Sequence, residues 1–422
     1  MGEWNVSHVN LMDSQVWLQG AETIDAEISR LHAEAPLDWF EEPLPENEFL
    51  QAGPGYWSVV RHADIGTISR NPEIFSSSSG ITITDTPPEF TEFFSSMIAM
   101  DDPRHARLRR IVSKGFTPRV LSLLEESVQD VARNIVDGMS HLGSCDFVTE
   151  VAAAVPLKIV CDLMGIPDSE FSRVFENSNV ILGIQDPEFA PQDVDFITAL
   201  LDAGADLAAL MGDVAELKRG GDGQDLTSIL VNANLEDDQL TSADLASFFV
   251  LLVVAGNETT RNAISWGLKY LTDNPSQRDL WIADFEALAG PAVEEIVRLA
   301  SPVTYMRRTV TQDTVLSKTK LKEGDKLAMF YLAANRDPSV FENPNAFNIL
   351  RNPNPQYGYG GPGPHFCLGA HLARREISVI FRELFKRLPD IRSVGEPDTL
   401  QSSFIHGVKH LQCEFTPVRS KN

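Results

Sequence analysis

Along most of the chain apolar and polar residues alternate with helical spacing, but after Thr241 the polar positions vanish. The run Leu245-Ala-Ser-Phe-Phe-Val-Leu-Leu-Val-Val-Ala-Gly256 is apolar nearly all round, and a helix with so little polar face is buried through the middle of a large protein. Thr241-Ser-Ala-Asp244 has the form of a capping box and Asn274-Pro275 supplies a stop. The helix between them is predicted at about 32 residues, or about 48 Å. Amphipathic helices are predicted over Thr117–Met139 and Ile197–Arg219, the second stopped by Gly220-Gly221. Strand-like pieces are shorter and fewer: Gly55–Val60, Arg307–Leu316, Lys326–Tyr331 and His410–Phe415. Pro-rich joints interrupt the first part at Glu41-Glu-Pro-Leu-Pro45 and Thr86-Pro-Pro88. The pattern predicts a mainly α fold with a smaller β portion.

Composition narrows the function classes. The formal charge is −25 over 422 residues, so a phosphate backbone would be repelled and nucleic acid is excluded as a partner. The four cysteines, Cys145, Cys161, Cys367 and Cys413, form no CxxC pair, which points to a reducing compartment rather than a disulfide framework. The first residues lack the basic and apolar regions of a signal peptide, and the run Phe248–Gly256 falls short of the ~20 residues of a membrane span. A cytoplasmic protein without a membrane anchor is expected.

Four places carry candidate chemistry. The first is Tyr359-Gly-Gly-Pro-Gly-Pro-His-Phe-Cys367-Leu-Gly369, in which a glycine-rich loop delivers a cysteine to the start of a helix. Glycines let the backbone approach a flat ligand, and a helix N-terminus stabilises a thiolate. Cys145, Cys161 and Cys413 have no such setting and are expected to be buried, inert thiols. The second is Ala255-Gly-Asn-Glu258-Thr259-Thr260 in the long helix, where Gly256 and the hydroxyls weaken the backbone pattern and could open a groove. Ala255 shares a face with both Glu258 and Thr259, leaving room for a small molecule beside an alcohol and an acid. The third is Glu295-Ile-Val-Arg298, helical neighbours three apart. The fourth is a scatter of basic groups, among them His105 and Arg109 on one helix face, Arg307, and His365 two residues before the cysteine.

Together these segments resemble the cytochromes P450, in order and over nearly the whole chain, from about Ala35 to Phe415. The cysteine segment is similar to the family's haem-binding loop, Phe-Gly-x-Gly-x-His-x-Cys-x-Gly, with Tyr359 in place of the usual Phe and one residue further from the cysteine. The resemblance implies a single domain over 1–422, its β-rich parts near 36–90, 303–335 and 395–418, with haem b between the long helix and the cysteine loop. It implies Cys367 as the iron ligand and Thr259 and Glu258 as the oxygen-activating alcohol and acid. Ala255, Gly256, Tyr359, Gly360 and Gly369 would line the haem; His105, Arg109, Arg307 and His365 would hold its propionates; Glu295 and Arg298 would form a buried structural pair.

Three further segments, Ala255–Asn262, Ser113–Pro118 and Ala333–Pro338, resemble the actinobacterial members that hydroxylate methyl-branched lipids and sterol side chains. The implied activity is insertion of one atom of O2 into a C–H bond of a hydrophobic lipid, terpenoid or sterol side chain. The family's pocket stretches would fall near Ser79–Met100, Asn177–Phe189, Phe248–Thr259, Val303–Met306 and Ser403–His406. Within them Ile81, Phe93, Phe94, Val180, Ile181, Val303, Phe404 and Ile405 are candidate lining residues. The chain shows no G-x-G-x-x-G, so electrons are expected from a separate ferredoxin and its reductase, docking on Arg107, Arg110, Lys114, Arg374 and Arg375. An H2O2-using peroxygenase and a non-catalytic haem sensor are the rival readings.

Overall fold

The computed structural model describes residues 9–43, 52–116, 118–183, 186–189, 194–232 and 240–418. Leu44 and Pro45 of the first Pro-rich joint, and Thr117 at the predicted start of a helix, lie outside them. The helices framing the site are α1 (Pro88–Ser95), α2 (Arg104–Val112), α3 (Pro118–Met139), α4 (Ala154–Met164), α5 (Phe171–Gly183), α6 (Phe196–Lys218), α7 (Ser242–Asp273), α8 (Phe285–Ala300) and α9 (Ala370–Arg387). With 54% of the structure helical, the fold is mainly α.

The long apolar helix is α7, 32 residues from Ser242 to Asp273. Its N-terminus is tied by a capping box: Asp244 N donates to Thr241 Oγ1 at 3.0 Å, and Thr241 N donates to Asp244 Oδ2 at 3.1 Å. By length and mean hydropathy it could cross a membrane, but α1, α4, α6, α8 and α9 pack around it, making it the core helix. Its less buried apolar positions, Leu251 and Leu252 among them, face the internal cavity described below. The hydrogen-bonding pattern continues through Gly256, so the groove foreseen there is not a break in the helix. A Cβ at Gly256 would come within 2.8 Å of Val160 on α4, so this glycine permits close helix contact.

The main sheet has strands β1 (Leu37–Phe40), β2 (Tyr56–Val59), β3 (Phe75–Ser76), β4 (Tyr305–Val310) and β5 (Lys326–Phe330), in the order β1-β2-β5-β4-β3. Only the β2–β5 pair is parallel. Two strands read as continuous in the sequence are each broken. The stretch Arg307–Leu316 divides after Val310, because Thr311, Gln312 and Asp313 form a polar turn, with Asp313 Oδ1 accepting from Glu323 N at 3.1 Å. The tail divides into Val408–His410, paired with Asp398–Thr399, and Gln412–Glu414, paired with Ser144–Asp146 and Arg392–Ser393.

Glu295 and Arg298 on α8 have no solvent exposure and meet through two 2.8 Å bonds. Arg298 also donates to the carbonyls of Asn335, Pro344 (both 2.7 Å) and Ala346 (3.1 Å). Glu295 accepts in addition from Arg351, Asn348 N and Asn354. The pair therefore fastens α8 to the loop that leads into the cysteine segment. Ser301, in the left-handed region with φ +38°, ends α8 just before Pro302.

Candidate haem-thiolate site

The glycine-rich loop folds against the segment around Ser69. A Cβ on Gly363 would sit 2.0 Å from Ser69 O, so only glycine fits there. Cys367 N donates to Tyr359 O at 3.0 Å, closing the loop over itself. The Cys367 sulfur accepts backbone N–H groups from Gly369 and Ala370 at the start of α9. Burial pushes the thiol up, while these donors and the nearby Arg109 and Arg374 favour the thiolate. Tyr359 carries the Arg374 guanidinium 4.2 Å above its ring, and its buried hydroxyl has no partner among the described residues.

A cavity of about 230 Å³ opens directly on Cys367. One wall is a stripe along α7 formed by Phe248, Leu251, Leu252, Ala255, Gly256 and Thr259. Thr259 Oγ1 donates to Ala255 O at 2.8 Å. Glu258 does not line this cavity. It is buried in a polar seam between α7 and α5, ion-paired with Arg261 and accepting from Asn262 at 3.0 Å, and its second carboxylate oxygen has no partner among the described residues. Arg261 continues to Asn179 on α5 at 3.1 Å.

Basic side chains gather around another part of the cavity. Arg109 of α2 lines the cavity and donates to Phe366 O at 2.5 Å. His105, one turn earlier, is buried with Nε2 unpartnered, and its ring stacks on His365 with centroids 4.1 Å apart. His365 is pushed down to about 2 by burial and by the neighbouring Arg308, His105 and Arg109.

Arg307 is a correction to the sequence expectation. It points out of the opposite face of β4, where it donates to Asp85 at 2.6 Å. Arg308 lines the cavity instead, buried and with no carboxylate partner among the described residues. Side chains on a strand alternate, so Met306 and Arg308 share the cavity face while Tyr305 and Arg307 share the other. Placing Met306 in the pocket stretch was enough to select Arg308.

Among the candidate pocket residues only Val303 lines the cavity. Ile405 lies behind it, bridged to Val303. Phe404 packs edge-on against Tyr305 at 5.5 Å in a separate core cluster. Ile81 gives its carbonyl to Arg307 N. Phe94, Val180 and Ile181 pack around Ala199 and Leu200 on α6, with Phe93 edge-on to Phe94. Ile405 is buried and the others are half-buried, packed between elements that surround the cavity. Met97, Ile98, Phe116 and Met306 take the lining positions. The α7 lining follows from Thr259 by counting back three or four residues at a time. Of the candidate docking residues, Arg110 and Lys114 are exposed, Arg107 and Arg375 are half-buried, and Arg374 is tied to Glu294 at 2.5 Å.

The residues present fit a haem. An apolar slot ends in a thiol backed by two N–H groups, and its rim carries Arg109, Arg308, His365 and an unpartnered His105 nitrogen. Arg308, a buried cation with no carboxylate partner among the described residues, calls for an anionic group, which propionates supply, and the uncharged histidines can add hydrogen bonds to it.

Comparisons with known proteins agree. The cytochrome P450 family model matches residues 288–400. The methyl-branched lipid omega-hydroxylase of Mycobacterium tuberculosis is 47% identical over 409 residues, covering 96% of this chain and 94% of that protein. The steroid C26-monooxygenase of Mycolicibacterium smegmatis is 35% identical over 92% of this chain and 90% of its own. The solved structure of a Mycobacterium marinum cytochrome P450 in complex with pseudoionone superimposes with a TM-score of 0.90 at 39% identity, covering 97% of this chain and 100% of that one.

Proposed function

This chain belongs to the cytochrome P450 family of haem-thiolate monooxygenases, and on that premise we propose that it hydroxylates a methyl-branched lipid at or near a terminal methyl. The observation that carries the proposal is one apolar cavity joining the Cys367 thiol, the Thr259 alcohol and a wall of Phe248, Leu251, Leu252, Val303 and Met306. Such a wall selects by shape alone, and a branched terminus fills width that a straight chain leaves empty. One methyl group in an apolar pocket is worth roughly 1–3 kcal/mol. Titration of the ferric protein with a methyl-branched fatty acid should give a low-to-high-spin shift at least about tenfold tighter than its straight-chain isomer. Equal affinities, or no shift, would remove the lipid assignment. Sterol side chains end in the same branched group and test the width of the same cavity.

Bound haem supplies the activation of O2, driven by the electron push of a thiolate ligand. Cys367 supplies that thiolate, held by the Gly369 and Ala370 N–H groups. Arg109, Arg308, His105 and His365 would hold the haem propionates. The apolar walls exclude water from the reacting carbon. Thr259 keeps its proton on Ala255 O until an acceptor in the cavity competes for it. Arg261 and Asn262 hold one oxygen of Glu258 and leave the other open to carry a proton, so we assign Glu258 proton supply from the α5–α7 seam.

Thr259→Ala should leave dioxygen consumption in place while product per O2 falls about 10- to 100-fold; unchanged coupling would remove the alcohol from the pathway. Arg308→Ala should speed haem transfer to an apoprotein acceptor by about 10- to 100-fold, the worth of one charge-assisted hydrogen bond. Arg307→Ala should change that rate by less than about threefold. The reverse ranking would restore Arg307 as the propionate ligand.

Electrons come from a separate ferredoxin that meets the exposed Arg110 and Lys114 on the cysteine side. Reversing both charges should slow reduction without altering substrate affinity, and unchanged reduction would exclude this surface.

A further inference from the structure

Cys145 and Cys413, 268 residues apart in sequence, stand directly opposite each other on antiparallel strands, their sulfurs 3.6 Å apart. Two residues to one side, Phe147 N donates to Leu411 O at 2.8 Å; two to the other, Phe415 N donates to Gly143 O at 2.9 Å. These bonds put Cys145 and Cys413 in the hydrogen-bonded class of cross-strand pair, whose Cα atoms lie about 5.5 Å apart. That spacing is near the centre of the range a disulfide spans, about 4.4–6.8 Å. The Cβ atoms of such a pair stand about 5.5 Å apart against the roughly 3.5–4.5 Å of a disulfide, so joining the sulfurs needs rotation of both side chains and a small local approach of the strands, which makes the bond easily reduced.

We infer that Cys145 and Cys413 form a reversible thiol–disulfide site separate from the haem-thiolate cysteine. Accessibility assigns the roles. Cys145 is half-buried beside the exposed Ser144, whereas Cys413 is 1% exposed and sits in the core. Cys145 is therefore the entry thiol and Cys413 the resolving one. The hydrogen bond from Cys413 also holds the Cys145 thiol below its ordinary range.

With a small disulfide RSSR as oxidant, the Cys145 thiolate attacks one sulfur and releases RS⁻, which takes up a proton. Cys413 then loses its proton and attacks the Cys145 sulfur, releasing the second RS⁻. Two protein S–H bonds and one small S–S bond become one protein S–S bond and two R–SH molecules, and two electrons pass to the small disulfide. The product staples the strand Ser144–Asp146 to Gln412–Glu414 and restricts the unfolded chain across a long loop. Cys161 serves as an internal control: it is buried among apolar side chains on α4, which push its thiol up to about 12.

The test is to equilibrate the holoprotein in mixtures of reduced and oxidised glutathione, block free thiols with iodoacetamide and map the peptides without reduction. The inference predicts a linked Cys145–Cys413 peptide pair in most molecules at the oxidising end, reversed by dithiothreitol with the Soret band unchanged. In Cys413→Ser, Cys145 should stop as the glutathione adduct; in Cys145→Ser, Cys413 should stay unmodified. If native wild-type protein shows both cysteines free at every ratio, or Cys145 carrying glutathione without the link, the inference fails. Both outcomes are read on the wild-type chain, whatever the variants do.

Discussion

Cys367→Ser should abolish the thiolate-type Soret band of the ferrous–CO complex and lower hydroxylation at least about 1,000-fold, some 4 kcal/mol of transition-state stabilisation. The loss is that large because the site is built around one sulfur. The loop closes through Cys367 N on Tyr359 O, and the Gly369 and Ala370 N–H groups are aimed at the sulfur. A serine hydroxyl would receive the same N–H groups, but it lacks the soft, easily ionised donor that pushes electron density toward the iron. Haem should still bind, since Arg109, Arg308, His105 and His365 are untouched. Retained hydroxylation with a retained thiolate band would mean another cysteine holds the iron; Cys145, Cys161 and Cys413 all lie outside the cavity lining.

Arg298→Ala carries the second largest expected effect, a loss of about 3–5 kcal/mol of stability, the usual cost of breaking a buried ion pair by removing one partner. Against a typical total of about 5–15 kcal/mol, that is enough to prevent accumulation of folded protein. Two consequences add. Glu295 keeps Arg351, Asn348 N and Asn354 but loses its bidentate partner, and the carbonyls of Asn335, Pro344 and Ala346 lose their donor. Those carbonyls belong to the loop leading to Tyr357 and the cysteine segment, so haem incorporation and folding should fail together. Arg298→Lys keeps the charge but not the planar fork and should give a folded protein that melts earlier. Chemical denaturation of whatever folds measures both variants; an Arg298→Ala protein as stable as the parent would show the pair to be dispensable.

How much of this was legible in the sequence depends on the reach of each signal. The central helix was readable to within a residue at both ends, because its capping box and its Asn274-Pro275 stop are local chemistry. The cysteine loop was readable because its glycines and its helix start lie within a dozen residues. Arg307 was misplaced by one residue, and on a strand one residue reverses the face. The resemblance carried the position over, and the face of each arginine becomes visible only once the strand's alternation is anchored by Met306 in the cavity lining. The pocket candidates other than Val303 lie outside the cavity lining for another reason. Phe93, Phe94, Val180 and Ile181 are apolar and lie in the right segments, but apolarity does not distinguish a residue facing a ligand from one facing a neighbouring helix. Met97, Ile98 and Phe116 have no distinguishing local pattern. The opposition of Cys145 and Cys413 depends on strand register across most of the chain, which no spacing rule reveals. Glu258 was found by its place beside Thr259, yet its orientation into the α5 seam comes from Arg261 and Asn262, whose roles appear only once α5 is packed.

The most direct test of the whole account is hydroxylation of a methyl-branched fatty acid under isotopically labelled dioxygen, with a ferredoxin and its reductase as electron source. The account predicts an alcohol at the terminal or next carbon carrying one oxygen from the labelled gas. Label drawn from water, or oxidation only at internal carbons, would contradict it.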